Sequence, residues 1–421
     1  MTIKRRSAVS EISWILCITA IWLVVFYSST IQHKILEIPN GMLLLGSAVV
    51  IFYILSNSDE LLDLKSVFTP ESIVMLAYMA YMLPMGFLFS PDLEQHTSQW
   101  IRSMEFMIIM IIISSVVLKS GTESFHIMLL VNAFILAVVF LKDPVYYAGG
   151  RYSISLNMNP NGLGMQFTSG IWAVLYQQQK RNIPLIIPGA VISLFGYCIM
   201  LTGSRKALIA AGIVIMTWLL LCYFPKLKER DFLNALLSLL FLILIIVILG
   251  VLFSRVYTDS TIAGRMSGLQ REVTEGKRSN MYREGWELFK LNPLFGIGFQ
   301  GFAYYYKGYS HATLVEIPVS SGAVGTIIYF TAFIISIIKC LYLYSFTAKN
   351  DDMLSERGNI SMLLALWAAL LFYCICIIHH YQLESFILLG IILGQTNYLE
   401  SKIKVLENNE AVKNKWKYIK Q

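Results

Sequence analysis

The sequence predicts an all-α integral membrane protein with about twelve transmembrane helices and one large outer loop. Three observations predict it. Of 421 residues, 56% are hydrophobic and only 14% are charged, too apolar a balance for a soluble globular chain. Runs of roughly 20 apolar residues, the length that spans a bilayer core, recur along the chain. Lys and Arg gather in short blocks beside those runs, the pattern of a topology signal rather than of a nucleic-acid stripe, although the net charge is +7. Helices follow because backbone groups in lipid must bond within their own segment.

Lys4, Arg5 and Arg6 precede the first run, Trp14 to Tyr27. No small-residue cleavage site follows it, so it reads as the first helix and not as a signal peptide. Spans are expected in the stretches 12–27, 39–55, 72–90, 104–118, 125–141, 162–176, 183–201, 207–224, 232–253, 319–345, 360–378 and 385–398. The chain thus divides into nine spans over 1–253, a large loop over 254–311, three spans over 312–400 and a basic tail over 401–421. With a cytoplasmic N-terminus, 18 of the 33 Lys and Arg fall on the inner side, which orients the chain with both termini cytoplasmic. The loop is far longer than an ordinary connection. It is also rich in aromatics, and Met281, Gly285, Leu288 and Phe289 recur at helical spacing before Asn292 and Pro293, which predicts an amphipathic helix lying against the bundle. All six cysteines fall inside apolar runs and read as packing residues.

Outer loops should be poor in cations, yet Arg151, Arg205, Arg255, Arg265, Arg271, Arg278 and Arg283 fall there. A guanidinium fork suits phosphate and carboxylate oxygens; the bland alternative is snorkelling to headgroups or pairing with Glu272, Glu275, Glu284 and Glu287. Arg205, in LTGSRKALIAAG, stands at the very start of a span, where a charge calls for a partner or a task. Gly203 and Ser204 before it suit a helix cap whose N-terminus attracts anions. His311 follows a Gly-Tyr-Ser turn and can take a proton from a hydroxyl near neutral pH. Glu316, Glu384, His379 and His380 are further candidates that ordinary capping or packing would equally explain. No DxD, HExxH or Cys/His cluster at ligand spacing is present, so no metal and no cofactor is expected. The glycines of NPLFGIGFQGF follow no βαβ strand and read as tight turns.

NMYREGWELFKLNPLFGIGFQGF, followed by YSHATLVEIPVSSGAVG, resembles the characteristic stretch of the O-antigen ligase and polysaccharide polymerase superfamily. LTGSRKALIAAG is similar to the family's Ser-Arg motif, and RYSISLNMNPNGLG to its arginine and Asn-Pro-Asn segment; together these cover roughly residues 150–330. The resemblance implies a GT-C-like, metal-independent glycosyltransferase of the bacterial inner membrane acting on undecaprenyl-pyrophosphate-linked oligosaccharides at the outer face. Carried over by motif, Arg205 and Arg283 would hold the pyrophosphate with help from Arg265 and Arg151, and His311 would activate the acceptor hydroxyl. The family often has Asn directly after that histidine. Ala312 stands here, which leaves room for Glu316 to share the catalytic role.

The expected function is a polymerase that joins lipid-linked repeat units into O-antigen, capsule or exopolysaccharide by inverting transfer. The rivals are a ligase that passes the chain to lipid A core or a protein, and a flippase of lipid-linked sugars. The implied partners are the lipid-linked oligosaccharide, the bilayer, a flippase and a chain-length regulator, with no nucleic acid.

Overall fold

The computed structural model describes residues 8–34, 38, 40–57, 64–147, 150–227, 277–348 and 353–419. The span expected at 232–253 and the arginines Arg255, Arg265 and Arg271 lie outside the described residues. The other eleven apolar stretches each fall on a helix. In chain order these are α1 (Ala8–Phe26, prolonged by a π turn over Tyr27–Ile31), α2 (Gly41–Ser56), α3 (Pro70–Phe89), α4 (Leu93–Ser120) and α5 (Glu123–Lys142). A two-stranded antiparallel hairpin follows, β1 (Val145–Tyr147) and β2 (Arg151–Ser153), with Tyr147 opposite Arg151. Then come α6 (Pro160–Arg181), α7 (Ile186–Thr202), α8 (Arg205–Trp218), α9 (Lys277–Leu291), α10 (Gly301–Tyr306), α11 (Thr313–Thr347), α12 (Leu354–Cys374) and α13 (Leu383–Ile419).

Seven of these segments are long and apolar enough to cross a bilayer; α2 and α7 are apolar but shorter. Helix α6 is the instructive exception. It is buried on nearly every side from Leu163 to Gln178, so it can carry polar residues provided each is bonded. Gln166 accepts from the Asn132 amide at 3.0 Å and donates to Glu384 at 3.1 Å. Residues facing away from the bundle are aliphatic or aromatic, such as Leu44, Leu88, Val138, Ile327 and Ile338, as a lipid-facing surface requires.

The two ends of the bundle differ. One end holds ion pairs between different helices: Lys180 and Arg181 with Glu123, Lys402 with Glu356, and Lys339 with Glu71 and Glu400. Lys339, which looks like a lone charge within a span, has its ammonium 2.8 Å from Glu71 in the first turn of α3, and its charge is answered there.

The other end is built around a broken helix. At Gly322 (φ 61, ψ −168) α11 leaves helical geometry, separating a short half over Thr313–Ser321 from the long remainder. A break frees backbone groups that lipid cannot satisfy. The turn after α9 satisfies them. Ile297 and Gly298 donate to the Val319 and Ser320 carbonyls at 2.9 Å, while Ala323 and Val324 donate to Pro293 and Leu294 at 2.8 and 3.2 Å. Gly296 (φ 76) and Gly322 meet backbone to backbone here, and a Cβ on either would collide with the partner strand. Helix α9 is the expected amphipathic helix. Leu288 and Gly285 press on Val315 of the short half-helix, whereas Trp286 and Leu291 are 59 and 61% exposed.

Candidate active site

The broken-helix end encloses a polar cavity of about 240 Å³. Its wall comes from five parts of the chain: Gln99 and Arg102 of α4, Asn159 and Asn161 at the start of α6, Lys206 of α8, Gln300, Tyr309 and His311 from the stretch before α11, and Cys376 to Gln382 between α12 and α13.

Local sequence explains how two helix starts point at this space. In NMNPNGLG, Asn159 is the N-cap of α6 and accepts from the Asn161 amide, and Pro160 takes the first helical position, where no donor is needed. In TGSRK, Ser204 caps α8 by accepting from the Ala207 amide. Gly164 lets the two helices close up, since a Cβ there would run into Ala207 and Ser204. Ser204 also donates to Asn161 Oδ1 at 3.0 Å, tying the two N-termini together. These two helices, of 22 and 14 residues, thus direct their positive ends to one place.

Arg151, on β2, braces this wall from behind. Its Nε donates to the Thr202 carbonyl at 3.1 Å and its Nη2 to Asn161 Oδ1 at 2.9 Å. With Oδ1 accepting from Arg151 and Ser204, the Asn161 amide nitrogen is left as the donor group on the cavity wall. Arg205 is buried at the first position of α8, and Lys206 beside it lines the cavity, with its ammonium donating to the Cys376 carbonyl.

On the opposite wall, the Gln300 side chain donates to Gln99 at 3.2 Å, Gln99 donates to Ser103 at 3.1 Å, and Ser103 donates to the His380 carbonyl at 2.9 Å. The Gln300 amide donates to the Tyr381 hydroxyl at 3.1 Å, which in turn donates to Glu316 at 3.1 Å. The other Glu316 oxygen accepts from the Ser310 hydroxyl. Glu316 is fully buried and does not line the cavity. It stands one layer back, clamping Ser310, the neighbour of His311, to Tyr381. His311 itself sits on the wall in a left-handed turn, φ 56.

Arg283 lies elsewhere. It is on the exposed side of α9 and donates to Asn280 of its own helix at 3.1 Å. The structure therefore brings His311, Arg151 and the start of α8 together, sets Glu316 behind them and leaves Arg283 outside the cavity. Sequence reading missed Arg102, Asn161, Gln300, Tyr381 and Lys206 as wall residues. Lys206 and Asn161 stood inside motifs already singled out, while Tyr381 and Gln300 carried no local signal.

The turn His379–Tyr381 is neutral by construction. Burial pushes the His379 imidazole down to about 4 and, with the added effect of His379, that of His380 to about 3. Burial and then the nearby Glu316 carboxylate hold the Tyr381 phenol well above its ordinary range. Beside the cavity runs an apolar groove of about 450 Å³ between α9 and α11, lined by Trp286, Phe289, Leu314, Val315, Pro318 and Ile327 among others. Tyr282 joins the two spaces: its ring lines the groove, and its hydroxyl donates at 2.9 Å to the Ile375 carbonyl, next to Cys376 on the cavity wall.

Comparison with protein families matches residues 189–330, about a third of the chain, to the family described as O-Antigen ligase. The match supports the superfamily resemblance that the motifs carry. It takes in Lys206, Gln300, Tyr309, His311 and Glu316, and stops short of Arg102, Asn161 and Tyr381. No curated protein matches the chain.

Proposed function

From the O-Antigen ligase match over residues 189–330, we propose that this membrane protein is a glycosyltransferase that joins undecaprenyl-pyrophosphate-linked oligosaccharide repeat units into a surface polysaccharide at the outer face of the inner membrane. The observation that carries the reading is a polar cavity in an apolar bundle, with two cationic side chains, two helix N-termini and a histidine on its wall.

In this reading the pyrophosphate lies against Lys206, Arg102 and the start of α8, with Arg205 adding positive charge from beneath. As the sugar–oxygen bond breaks, negative charge grows on the phosphate oxygens, and donors already fixed in place stabilise it without reorganising. Metal independence follows from charge that the chain itself supplies. Arg151 holds Asn161 so that its amide faces the substrate. His311 takes the proton of the attacking hydroxyl, and attack opposite the departing pyrophosphate inverts the anomeric carbon. The carrier's isoprenoid chain lies in the apolar groove beside Tyr282. The ion pairs of Lys180 with Glu123 and of Lys402 with Glu356 at the opposite end involve residues read as cytoplasmic, which supports the orientation with both termini inside.

The matched family, described as O-Antigen ligase, favours a second reading, a ligase that passes a finished chain to a different acceptor. Supplying purified protein with only the lipid-linked repeat unit separates the two. A ladder of products supports polymerisation; no product until a lipid A core or protein acceptor is added supports ligation. Absence of any new glycosidic bond with either acceptor, and unchanged cargo on the far leaflet, refutes both and favours transport.

A further inference from the structure

The segment joining two cavity-wall residues, Gln300 and Tyr309, reads GFAYYYKGY between Gly301 and Tyr309. Phe302, 1% exposed, anchors it in the small cluster formed with Leu288 and Val315. Above that anchor Tyr304, Tyr305, Tyr306 and Tyr309 are all more than a third exposed. Their rings meet neighbouring rings in separate pairs. Tyr304 and Tyr305 meet edge to face with centroids 5.2 Å apart, Tyr309 meets Tyr381 of the cavity wall at 6.1 Å, and the Lys307 ammonium lies 5.3 Å from the centre of the Tyr304 ring. Among the described residues none of these four hydroxyls has a hydrogen-bond partner.

The surface changes character at this segment. Exposed large side chains on the spanning part of α11 are Val324, Ile327, Ile334, Ile338 and Leu341, with a single tyrosine, Tyr342, near its far end, the composition of a lipid-facing wall. Between Gly301 and Tyr309 no branched aliphatic side chain occurs. A tyrosine ring gives an apolar face to the C–H side of a sugar, and its hydroxyl pairs with sugar hydroxyls. The cavity itself, about 240 Å³, is smaller than the roughly 300–1,000 Å³ clefts that enclose drug-sized molecules. An oligosaccharide whose reacting end enters it must lay its remaining sugars outside, and Tyr309, on the cavity wall, ends the tyrosine-bearing segment that starts from Gln300 on the same wall.

Resting on the glycosyl-transfer reading, we propose that Tyr304, Tyr305 and Tyr309 form an extended carbohydrate subsite that grips the sugars of the reacting chain beyond those held in the cavity. The subsite makes affinity grow with chain length and so favours long saccharides over single repeat units. The competing use for exposed tyrosines is anchoring at the membrane interface; there, leucine would serve in part, whereas a sugar-stacking surface needs an aromatic ring.

The test uses the purified full chain in nanodiscs and fragments of the host strain's own surface polysaccharide, of one and of four repeat units, titrated by calorimetry. The wild type is expected to bind the longer fragment about tenfold tighter, the scale of one or two aromatic contacts. The pair Tyr304→Ala and Tyr305→Ala loses that gain and keeps the affinity for the single unit. The double Trp variant keeps the gain and the double Leu variant does not. Persistence of the gain in the Ala pair, its restoration by Leu, or equal affinity of the wild type for both fragments would overturn the subsite. Product assays run in parallel keep the two readings apart: bonds formed by a protein whose gain survives in the Ala pair refute the subsite alone, whereas a gain lost in the Ala pair of a protein that forms no bond refutes the transfer alone.

Discussion

Replacing Glu316 by glutamine decides whether this carboxylate acts on substrate or holds the site's shape. Glu316 is fully buried and accepts from two hydroxyls, Ser310 and Tyr381, the latter at 3.1 Å. The Tyr381 oxygen in turn accepts the Gln300 amide at 3.1 Å, so the phenol's only proton is committed to Glu316. A carboxamide keeps one acceptor oxygen for Tyr381 and presents an NH₂ to Ser310. Ser310 can turn its proton to the Ala312 carbonyl, 3.2 Å away, and accept from the new amide. The swap therefore exchanges charge-assisted hydrogen bonds for neutral ones and costs about 1–2 kcal/mol. Glu316→Ala has no such repair. It strands the Tyr381 hydroxyl, which alone costs about 1–3 kcal/mol, and opens a void beside it. For a positioning residue, Glu316→Gln lowers the melting temperature slightly and keeps product formation within about tenfold, while Glu316→Ala loses both stability and product. For a general base, Glu316→Gln would cost about 10²–10⁴ in rate. Melting of purified protein in detergent, measured beside the rate of glycosidic bond formation, reads both quantities. Glu316→Gln with unchanged melting and a rate down a hundredfold would refute the positioning argument.

Lys206→Met keeps the aliphatic stem and removes the charge, and is expected to lower turnover about 10²–10³-fold, whereas Arg283→Ala, outside the cavity, is expected to retain product; equal turnover of Lys206→Met and wild type refutes the leaving-group role. Gly296→Ala forces a side chain into a left-handed turn at about 1–3 kcal/mol and against the backbone of Ser320 to Gly322, so the chain should melt lower and lose product; a melting curve like that of the wild type contradicts the tight pairing at the helix break. His379 and His380 are buried neutral with values near 4 and 3 against 6.5 when free. Their contribution to stability is therefore complete above about pH 6.5 and declines as pH falls toward about 4 and 3, because the unfolded chain gains protons first. Since neither ring nitrogen of His380 has a hydrogen-bond partner among the described residues, His380→Phe keeps the stacking on Phe299 and should flatten melting against pH; an unchanged slope rules out that imidazole as its source.

Much of the architecture was legible because it rests on local pattern. Apolar runs located the helices, Asn292 and Pro293 the end of α9, and the glycines of NPLFGIG their turns. Ser204 and Asn159 acted as caps, as their side chains dictate. The apolar run at 319–345 gave no sign that α11 begins at Thr313 or breaks at Gly322, since the break is compensated by a turn some 25 residues earlier in the chain. Within the site, motif and charge singled out Arg205. Adjacent positions on a helix point about 100° apart, however, and the wall position belongs to Lys206. Tyr381 and Gln300 escaped notice because their importance lies in contacts with Glu316 and Gln99, far away in sequence. Glu316 was noticed for its charge, but only the packing of the short half-helix shows that the carboxylate faces Ser310 and Tyr381 and not the cavity.

The position of the lipid-linked pyrophosphate tests the central claim most directly. A cryo-electron microscopy structure of the full chain in a nanodisc with the lipid-linked repeat unit should show both phosphates between Arg102, Lys206 and the first turn of α8, with the sugar carbon turned toward His311 and the isoprenoid chain in the groove beside Trp286. A pyrophosphate held on the exposed side of α9 at Arg283, with the cavity empty of substrate, would contradict it.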